Sequence, residues 1–199
     1  MSWDGEEYQQ RFDALAAKGV EVHGEVDFLM GLEQVRPASA SASVLDAGCG
    51  SGRVARELAV RGIDVVGVDV EPSMIAAARQ RDPGLEFHVV DLAEVALGRR
   101  FSVVVMAGNV PIFTPPGTHG AVVAGCARHV APGGVLVCGF QLGRGYELDE
   151  YDAHCSAAEL ALVERFATWD RDPFPGDGSY AVSVHRPIRE VGAGGSARP

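Results

Sequence analysis

The most constraining feature of the sequence is a glycine-rich loop that follows a short apolar run. Val44–Asp46 leads into the segment Ala47–Gly52, in which glycine stands at every second position. Residues 53–61 then place Val54 and Leu58 four positions apart, which is helical spacing. A strand, a glycine loop and a helix in this order are typical of a nucleotide-binding loop, because glycines let the backbone turn sharply and approach a ligand closely.

The alternation of strand-like and helix-like patterns continues along the chain. Apolar, often β-branched runs are separated by stretches with helical periodicity. Because strands that alternate with helices form parallel sheets covered on both faces, the pattern predicts an α/β fold. The predicted strands after the first are Asp64–Asp69, Leu85–Val90, Phe101–Met106 and Val135–Phe140, and the predicted helices are 53–61, 72–81 and 118–130.

The C-terminal quarter has a different pattern. The segment Ser156–Glu159 has the spacing of a capping box, which predicts a helix that carries Leu160 and Val163. Beyond this helix, Arg165–Asp170 and Ser179–His185 are strand-like runs separated by a stretch rich in proline and glycine. We expect them to form two antiparallel strands.

Length favours a single domain. The chain has 199 residues, within the usual range for one domain, and we expect that domain to span residues 1–190. Within it, residues 1–43 are predicted to form a helical arm or lid with its linker, and residues 44–140 the core. A cover segment and a terminal helix with two strands are expected over 141–190. Residues 191–199 have the composition of a flexible tail.

Charge and composition exclude several classes of partner. The sequence has 17 Lys and Arg against 27 Asp and Glu, a formal net charge of −10, and it lacks the basic stripe that binds nucleic-acid phosphates. No apolar run approaches the ~18 residues of a membrane span, and the polar, acidic N-terminus does not resemble a signal peptide. The four cysteines show no metal-ligand spacing. We therefore expect reduced thiols, no metal and a cytoplasmic location.

Three carboxylates surround the glycine loop at predicted strand ends. Asp46 stands two residues before the first glycine, and Asp69 and Asp91 end the second and third strands. Because the carboxyl ends of parallel strands meet at one edge of the sheet, these side chains should converge there. Asp46 would repel phosphates and attract a cation, Asp69 can accept ribose hydroxyls, and Asp91 can accept from an exocyclic amine. The alternatives are that Asp46 only caps the next helix and that Asp69 only starts the helix at Pro72.

Together these motifs resemble those of the class I S-adenosylmethionine-dependent methyltransferases. The resemblance rests on Val44–Gly52, Asp69, Asp91-Leu92 and Ala131–Gly134, and it covers residues 44–140 in the family's order. It implies a Rossmann-like, seven-stranded, mostly parallel sheet of order 3-2-1-4-5-7-6, with the last strand antiparallel and helices on both faces. It also implies S-adenosylmethionine as the cofactor.

The resemblance implies a role for individual positions. The glycine loop and Asp46 would hold the methionine moiety and Asp69 the ribose, while Asp91 and the Leu92 N–H would bind the edge of adenine. Met74 either contacts adenine or belongs to the core, and Cys49 is interpreted as a small loop residue. The full set implied for the cofactor is Asp46, Ala47, Gly48, Cys49, Gly50, Gly52, Asp69, Val70, Met74, Asp91, Leu92, Ala107 and Asn109.

The acceptor side of the site is less defined by the sequence. Methyl transfer from a sulfonium depends mainly on positioning, and a base is needed only for an acceptor that is protonated at neutral pH. The acceptor pocket should form beyond the fourth and fifth strands. Asn109 stands there, either as a catalytic candidate or as a loop residue that makes backbone contacts near the cofactor methyl group. Val110 and Ile112 break the Asn-Pro-Pro-aromatic motif of amino-methylating relatives. His23 and Tyr146 are the other catalytic candidates.

The sequence leaves the roles of several further side chains open. The aromatic residues of the arm either line the pocket together with His23 or anchor the arm to the core. The arm residues concerned are Trp3, Tyr8 and Phe12, and Arg11 and His154 are further pocket candidates. His88 and His185 are interpreted as structural, and His129 as a helix-end histidine favoured by the helix dipole. The role of His119 is left undecided.

The sequence therefore predicts methyl transfer to a small-molecule acceptor, since no substrate domain is inserted into the pattern. One alternative is a regulatory module that binds the cofactor without transferring methyl. Another is an NAD-dependent oxidoreductase, but its GxGxxG fingerprint would need a glycine where Arg53 stands. Monomer and homodimer both stay open.

Overall fold

The architecture is a seven-stranded sheet with helices on both faces. The computed structural model describes residues 24–35, 42–176 and 178–188. The strands are β1 (Ser43–Ala47), β2 (Asp64–Asp69), β3 (Glu86–Val89), β4 (Phe101–Met106), β5 (Val130–Gln141), β6 (Leu160–Phe166) and β7 (Tyr180–Pro187), and the helices are α1 (Gly24–Met30), α2 (Arg53–Val60), α3 (Pro72–Arg81), α4 (Val110–Phe113), α5 (His119–Arg128) and α6 (Leu148–Ala157).

The strand order confirms the predicted topology. The sheet runs β3-β2-β1-β4-β5-β7-β6. Strands β1 to β5 pair in parallel, whereas β7 is antiparallel to both β5 and β6. Because the chain fills one side of β1 with β2 and β3 and then crosses to β4, a crevice opens where the carboxyl ends of β1 and β4 diverge.

Two hydrophobic clusters hold the layers together, one on each face of the sheet. On one face, side chains such as Leu29, Leu58 and Ile75 anchor α1, α2 and α3. On the other face, Cys126 and Tyr151 anchor α5 and α6. Neighbouring residues of β1 belong to opposite clusters, as the twofold side-chain period of a strand requires. Both faces of the central strands are therefore buried.

The helix predicted from the capping-box spacing is wrong. Ser156 lies in the last turn of α6, and Glu159 takes a left-handed conformation with φ 58° that turns the chain. Leu160 and Val163 then lie on β6, which pairs with β7. The capping-box residues thus mark the end of a helix, whose buried face is formed by Tyr151 and Cys155 four positions apart.

Smaller corrections concern the elements around β4 and β5. The helix predicted over 118–130 ends at Arg128, because Val130 already pairs with Phe101 and begins β5. The register shifts between this pair and the next, where Val103 pairs with Val135. The short helix α4 has no counterpart in the prediction.

Some predictions concern residues that the structure does not describe. The tail 191–199 and residues 1–23 of the arm lie outside the described ranges, so the domain boundaries stay a prediction. Among the described helices, none is long and apolar enough to cross a membrane.

Candidate active site

A cavity of about 440 Å³ opens at the carboxyl ends of the parallel strands. The loops after β1, β2 and β3 line it on one side, and the segment from the end of β4 through α4 to α5 lines the other. Volumes of about 300–1,000 Å³ are typical of small-molecule sites. The predicted cofactor residues that line this cavity are Asp46, Gly48, Cys49, Gly50, Asp69, Val70, Met74, Asp91, Leu92 and Ala107.

Three of the predicted cofactor residues lie beside the cavity and not in its lining. Ala47 is fully buried at the end of β1. A Cβ on Gly52 would lie 2.9 Å from Cζ of Phe87, so glycine at this position allows β3 to pack closely against the loop. The third residue, Asn109, is turned towards β5. Their assignment to the cofactor stays a prediction.

The glycine loop is held against two neighbours. Gly48 has a φ of 81°, and a Cβ there would lie 2.5 Å from Cγ2 of Val110, so no larger residue fits without strain. Its N–H donates to the Val68 carbonyl at 2.8 Å. The N–H of Gly50 donates to Oδ2 of Asp69, also at 2.8 Å. The loop is thereby tied to the end of β2.

Asp46 is a buried carboxylate below this loop. It is 1% exposed, and its Oδ2 accepts the N–H of Ala55, in the first turn of α2, at 3.1 Å. Burial raises the pKa of Asp46 to about 7, although the nearby Arg53 guanidinium lowers it. Asp46 therefore bonds to the first turn of α2 and also lines the cavity, while its contact with the methionine moiety stays a prediction.

Asp69 joins the glycine loop to the turn after β2. In addition to accepting from Gly50, its carboxylate accepts the Glu71 N–H through Oδ1 at 2.9 Å. The N-cap of α3 is Glu71, which accepts the Ser73 N–H. Asp69 therefore does more than start the helix at Pro72, because it orders the loop as well as the turn while lining the cavity.

The residues implied for adenine surround the far end of the cavity. Asp91 is exposed, and its Oδ1 accepts the Ala93 N–H at 2.9 Å. Met74 is 7% exposed and belongs to the core and the cavity lining alike. Val70, which is 64% exposed, lies on the rim.

The sequence missed two charged residues of the lining, Arg53 and Glu71. Arg53 forms an ion pair with Glu25 of α1, in which Nη1 and Oε2 are 3.2 Å apart. This pair fixes α1 beside the glycine loop. In the sequence Arg53 is only the residue that stands in place of the third glycine of the GxGxxG fingerprint, and no local pattern marks it as part of the lining.

Asn109 stabilises the turn that follows β4. Gly108 and Asn109 both have a φ of 69°, and asparagine tolerates this left-handed region better than most residues. Oδ1 of Asn109 accepts the Gln141 N–H at 2.8 Å. This bond to the main chain of β5 fits the interpretation of Asn109 as a loop residue that makes backbone contacts, and its candidate catalytic role stays a prediction.

The wall that follows this turn is uncharged and mostly apolar. Val110, Phe113 and Val122 line it together with two threonines. The Thr114 hydroxyl donates to the Val110 carbonyl at 3.1 Å, which steadies α4. Phe113 is 63% exposed and forms part of the rim. The sequence marked this region only as the acceptor side, since a four-residue helix has no periodicity to detect.

Tyr146 lies behind the wall and not in the cavity. It is 1% exposed, and its ring stacks on His119 with 4.0 Å between ring centres. Its hydroxyl shares a hydrogen bond of 2.8 Å with Nδ1 of His154. Burial raises the pKa of Tyr146 well above its ordinary value. None of residues 141–155 lines the cavity, and the roles expected of Tyr146 and of the cover segment stay predictions.

The candidates on the arm lie outside the described residues. His23 stays a prediction, as do Trp3, Tyr8, Arg11 and Phe12. Within the described ranges, no group of three or more His, Cys, Asp or Glu side chains is arranged to hold a metal ion.

The lining fits a cationic nucleoside. Gly48 and Gly50 of the glycine loop line the cavity together with the buried carboxylate of Asp46, and Asp69 and Asp91 follow at the ends of the next two strands. Carboxylates accept from ammonium, hydroxyl and amine donors. S-adenosylmethionine presents all three, so the residues present are suited to it.

Comparisons with known proteins agree with this geometry. A family model described as a methyltransferase domain matches residues 44–134. The crystal structure of a TehB-like S-adenosylmethionine-dependent methyltransferase from Corynebacterium glutamicum has a TM-score of 0.84 and 32% sequence identity, covering 92% of this chain and 98% of that one. The chain belongs to the class I S-adenosylmethionine-dependent methyltransferases. S-adenosylmethionine is thus the cofactor for which this methyltransferase is built.

Two curated relatives show the range of the family. The methyltransferase is 36% identical over 121 residues to a dTDP-3-amino-3,6-dideoxy-alpha-D-glucopyranose N,N-dimethyltransferase of Streptomyces fradiae, which covers 60% of this chain and 47% of that protein. It is 48% identical over 68 residues to the magnesium-protoporphyrin O-methyltransferase of Rhodobacter capsulatus, covering 32% and 30%. The chain thus spans half or less of the length of these two relatives. Neither the family match nor these relatives support an NAD-dependent oxidoreductase.

Proposed function

We propose that this methyltransferase transfers the methyl group of S-adenosylmethionine to a small-molecule acceptor. The observation that carries the proposal is the continuity of one cavity, which joins the carboxylates at the strand ends to the uncharged wall of α4 and α5. A cavity of about 440 Å³ suits small molecules. The two relatives act on an amino-sugar nucleotide and a porphyrin, which supports the class of acceptor without selecting the attacked atom.

The proposed mechanism assigns the chain binding, orientation and exclusion of water. The bound cofactor supplies an electrophilic methyl group on a positively charged sulfur. Asp46 and Asp69 hold the cationic and ribose parts, while Val110 and Phe113 present an apolar surface against which the acceptor can lie. Orientation of two reactants in this way contributes a large share of the rate without a dedicated catalytic side chain.

The proposal includes a cytoplasmic location. All four cysteines are free, and Cys126, Cys138 and Cys155 are buried. Free thiols of this kind are usual where the environment is reducing.

The test has two stages. Calorimetric titration with S-adenosylhomocysteine should show a dissociation constant below the millimolar range, and no binding at that level would overturn the proposal. Methyl transfer from labelled S-adenosylmethionine is then measured on a panel of amino sugars, phenols, carboxylic acids and thiols. Transfer to a panel member supports the proposal, whereas tight binding with no transfer to any of them supports a regulatory module.

A further inference from the structure

The polar side chains on the acceptor side of the cavity are two threonines. Among the described residues from the end of β4 to α5 that line it, Thr114 and Thr118 are the ones with a polar side chain. The Thr114 hydroxyl donates to the Val110 carbonyl at 3.1 Å, and the Thr118 hydroxyl donates to the Pro115 carbonyl at 2.8 Å. Because a carbonyl oxygen only accepts, both hydroxyl hydrogens are used within the wall. Towards a ligand, each threonine oxygen can then only accept.

The main chain of the same wall offers few donors. Pro111, Pro115 and Pro116 have no N–H. The Thr114 N–H donates to the Pro111 carbonyl at 3.3 Å, and the Thr118 N–H donates to the Pro115 carbonyl at 3.1 Å. Proteins hold carboxylates and phosphates through N–H and O–H donors. This wall therefore presents acceptor oxygens and apolar groups where an anion would need donors.

The charged side chains that line the rest of the cavity are mostly acidic. The carboxylates of the described lining are those of Asp46, Asp69, Glu71 and Asp91. Arg53 is the cation of this lining, and it is paired with Glu25 of α1, whose carboxylate offsets its charge. Like charges brought together cost free energy. The cavity therefore repels an anionic acceptor.

Two positive contributions do not reverse this balance. The N-terminus of α5, where Thr118 is the N-cap residue, carries about half an elementary charge. S-adenosylmethionine has a sulfonium and an ammonium together with a carboxylate, so its net charge offsets one of the lining carboxylates. The loaded cavity keeps an excess of negative charge, even when Asp46 is protonated.

We propose that the acceptor has an apolar body, is attacked at an amine or hydroxyl group that can donate a hydrogen bond, and carries no carboxylate or phosphate. The inference rests on the proposed function and deepens it. Val110 and Phe113 pack against the apolar body, and the threonine oxygens accept from the attacked group. In the transfer, a lone pair of the attacked nitrogen or oxygen forms the bond to the methyl carbon. The electron pair of the carbon–sulfur bond stays on sulfur, and the proton of the attacked group passes to water.

The first test measures binding without methyl transfer. Small aromatic amines and phenols are each prepared as the free carboxylic acid and as its methyl ester, and their binding to protein saturated with S-adenosylhomocysteine is measured by ligand-observed NMR. We expect the esters to bind about tenfold more tightly than the acids, because the lining carboxylates repel a negative charge. Since each ester is larger than its acid, exclusion by size cannot produce this order.

The outcomes of this test separate the inference from the proposed function. Equal or tighter binding of the acids, or no binding of any ester at millimolar concentration, would overturn the inference. Ester binding without methyl transfer from S-adenosylmethionine would contradict the proposed function alone, since the charge preference of the cavity would stand.

The second test reverses the charge preference. Thr118→Lys places a cation on the wall and should raise the affinity for the free acids about tenfold. Thr118→Gln is the matched control, with a long polar side chain but no charge, and should keep the preference for esters. Thr118 makes no side-chain capping hydrogen bond at the start of α5, so neither substitution removes a cap. An unchanged preference in Thr118→Lys, with the variant folded by circular dichroism, would contradict the inference.

The third test concerns the acceptor oxygens. Thr114→Val keeps the shape of the side chain and removes its oxygen. The affinity for phenols should fall about fivefold relative to that for their methyl ethers, which have no hydroxyl hydrogen to donate. An equal change for phenols and ethers would contradict the assigned contact between Thr114 and the attacked group.

Discussion

At the scale of single residues, Asp46 is a carboxylate whose ionisation depends on whether a cationic ligand is bound in the glycine loop. Burial raises its pKa to about 7, so near neutral pH it is partly protonated before a ligand binds. A cation in the glycine loop favours the ionised form. Binding of a ligand with an ammonium group should therefore release a proton.

The affinity for S-adenosylhomocysteine should consequently rise with pH. From pH 6 to pH 8 the fraction of Asp46 that is already ionised increases about tenfold for a pKa near 7, and the association constant should follow it. Calorimetry in buffers of different ionisation enthalpy would measure both the affinity and the released proton.

Two controls separate Asp46 from other titrating groups. Methylthioadenosine lacks the amino-acid part and should bind with little dependence on pH. Asp46→Asn keeps an acceptor for the Ala55 N–H but cannot ionise, so it should abolish the proton release. A pH dependence that persists in this variant would assign the effect to another group.

Asp69 should matter more for binding than for folding. Asp69→Ala removes the acceptor of the Gly50 and Glu71 N–H groups at the end of β2, so the loop loses its anchor. We expect the dissociation constant of S-adenosylhomocysteine to rise about 10- to 100-fold, as hydrogen bonds to a charged group contribute about 1.5–3 kcal/mol. Asp69→Asn retains one acceptor oxygen and should lose less. An unchanged dissociation constant in Asp69→Ala would contradict the assignment of Asp69 as the residue that binds the ribose.

At the scale of elements, the glycine loop and α4 are fitted to each other. Gly48→Ala places a Cβ against Val110 in a left-handed conformation that costs about 1–2 kcal/mol by itself. Both cofactor affinity and the free energy of unfolding should fall. Calorimetry and urea unfolding would measure the two effects.

The chain offers a matched control for backbone strain. Gly62 has a φ of 82°, and a Cβ at this position would have no other atom within 4 Å. Gly62→Ala should therefore lower stability by a similar strain and leave cofactor affinity intact. Adding Val110→Ala to Gly48→Ala should restore part of the lost affinity. If cofactor affinity is not restored, the contact with α4 is not what weakens binding in Gly48→Ala.

The elements around β1 to β5 were predictable because each repeats a strong pattern. Val65, Val66 and Val68 mark β2 as a buried strand, and the three carboxylates lie at the cavity edge as their positions after strands predicted. The family resemblance added the strand order. The predicted element boundaries are wrong where tertiary pairing decides them. Val130 continues the helical pattern in the sequence, but in the structure it pairs with Phe101 and begins β5.

The missed parts of the site had weak local signals. The buried face of α6 consists of only two residues, Tyr151 and Cys155, which is too few to show helical periodicity. Ser156 has the spacing of a helix start although it lies in the last turn of α6. The acceptor wall depends on the consecutive left-handed residues Gly108 and Asn109, and asparagine beside glycine predicts a turn but not the direction of the chain after it.

At the scale of the whole molecule, two buried groups oppose each other in the pH dependence of stability. Asp46 keeps its proton in the folded chain up to about pH 7, so its contribution falls as pH rises from about 4 to 7. Burial lowers the pKa of His185 to about 4, so the unfolded chain binds its proton first. The His185 contribution is therefore complete above about pH 6.5 and is lost as pH falls towards 4.

Replacing either group should leave the pH dependence of stability to the remaining one. The stability of Asp46→Asn relative to the natural chain should rise by about 2–4 kcal/mol between pH 4 and 8, since each pKa unit corresponds to about 1.4 kcal/mol. That of His185→Gln should fall over pH 4 to 6.5 by a similar amount. Urea unfolding at half-unit pH intervals would measure both differences. Differences that do not vary with pH would contradict the opposed roles of the two groups.

The position of β7 has a consequence for synthesis on the ribosome. β7 pairs on one side with β5 and on the other with β6, yet it follows both in the chain. A nascent chain that has emerged only as far as residue 176 therefore carries two strand edges with no partner, including the apolar stretch Val135–Phe140. Unpaired apolar edges promote association between chains. Both edges are therefore closed only when β7 has left the ribosome and inserts between β5 and β6.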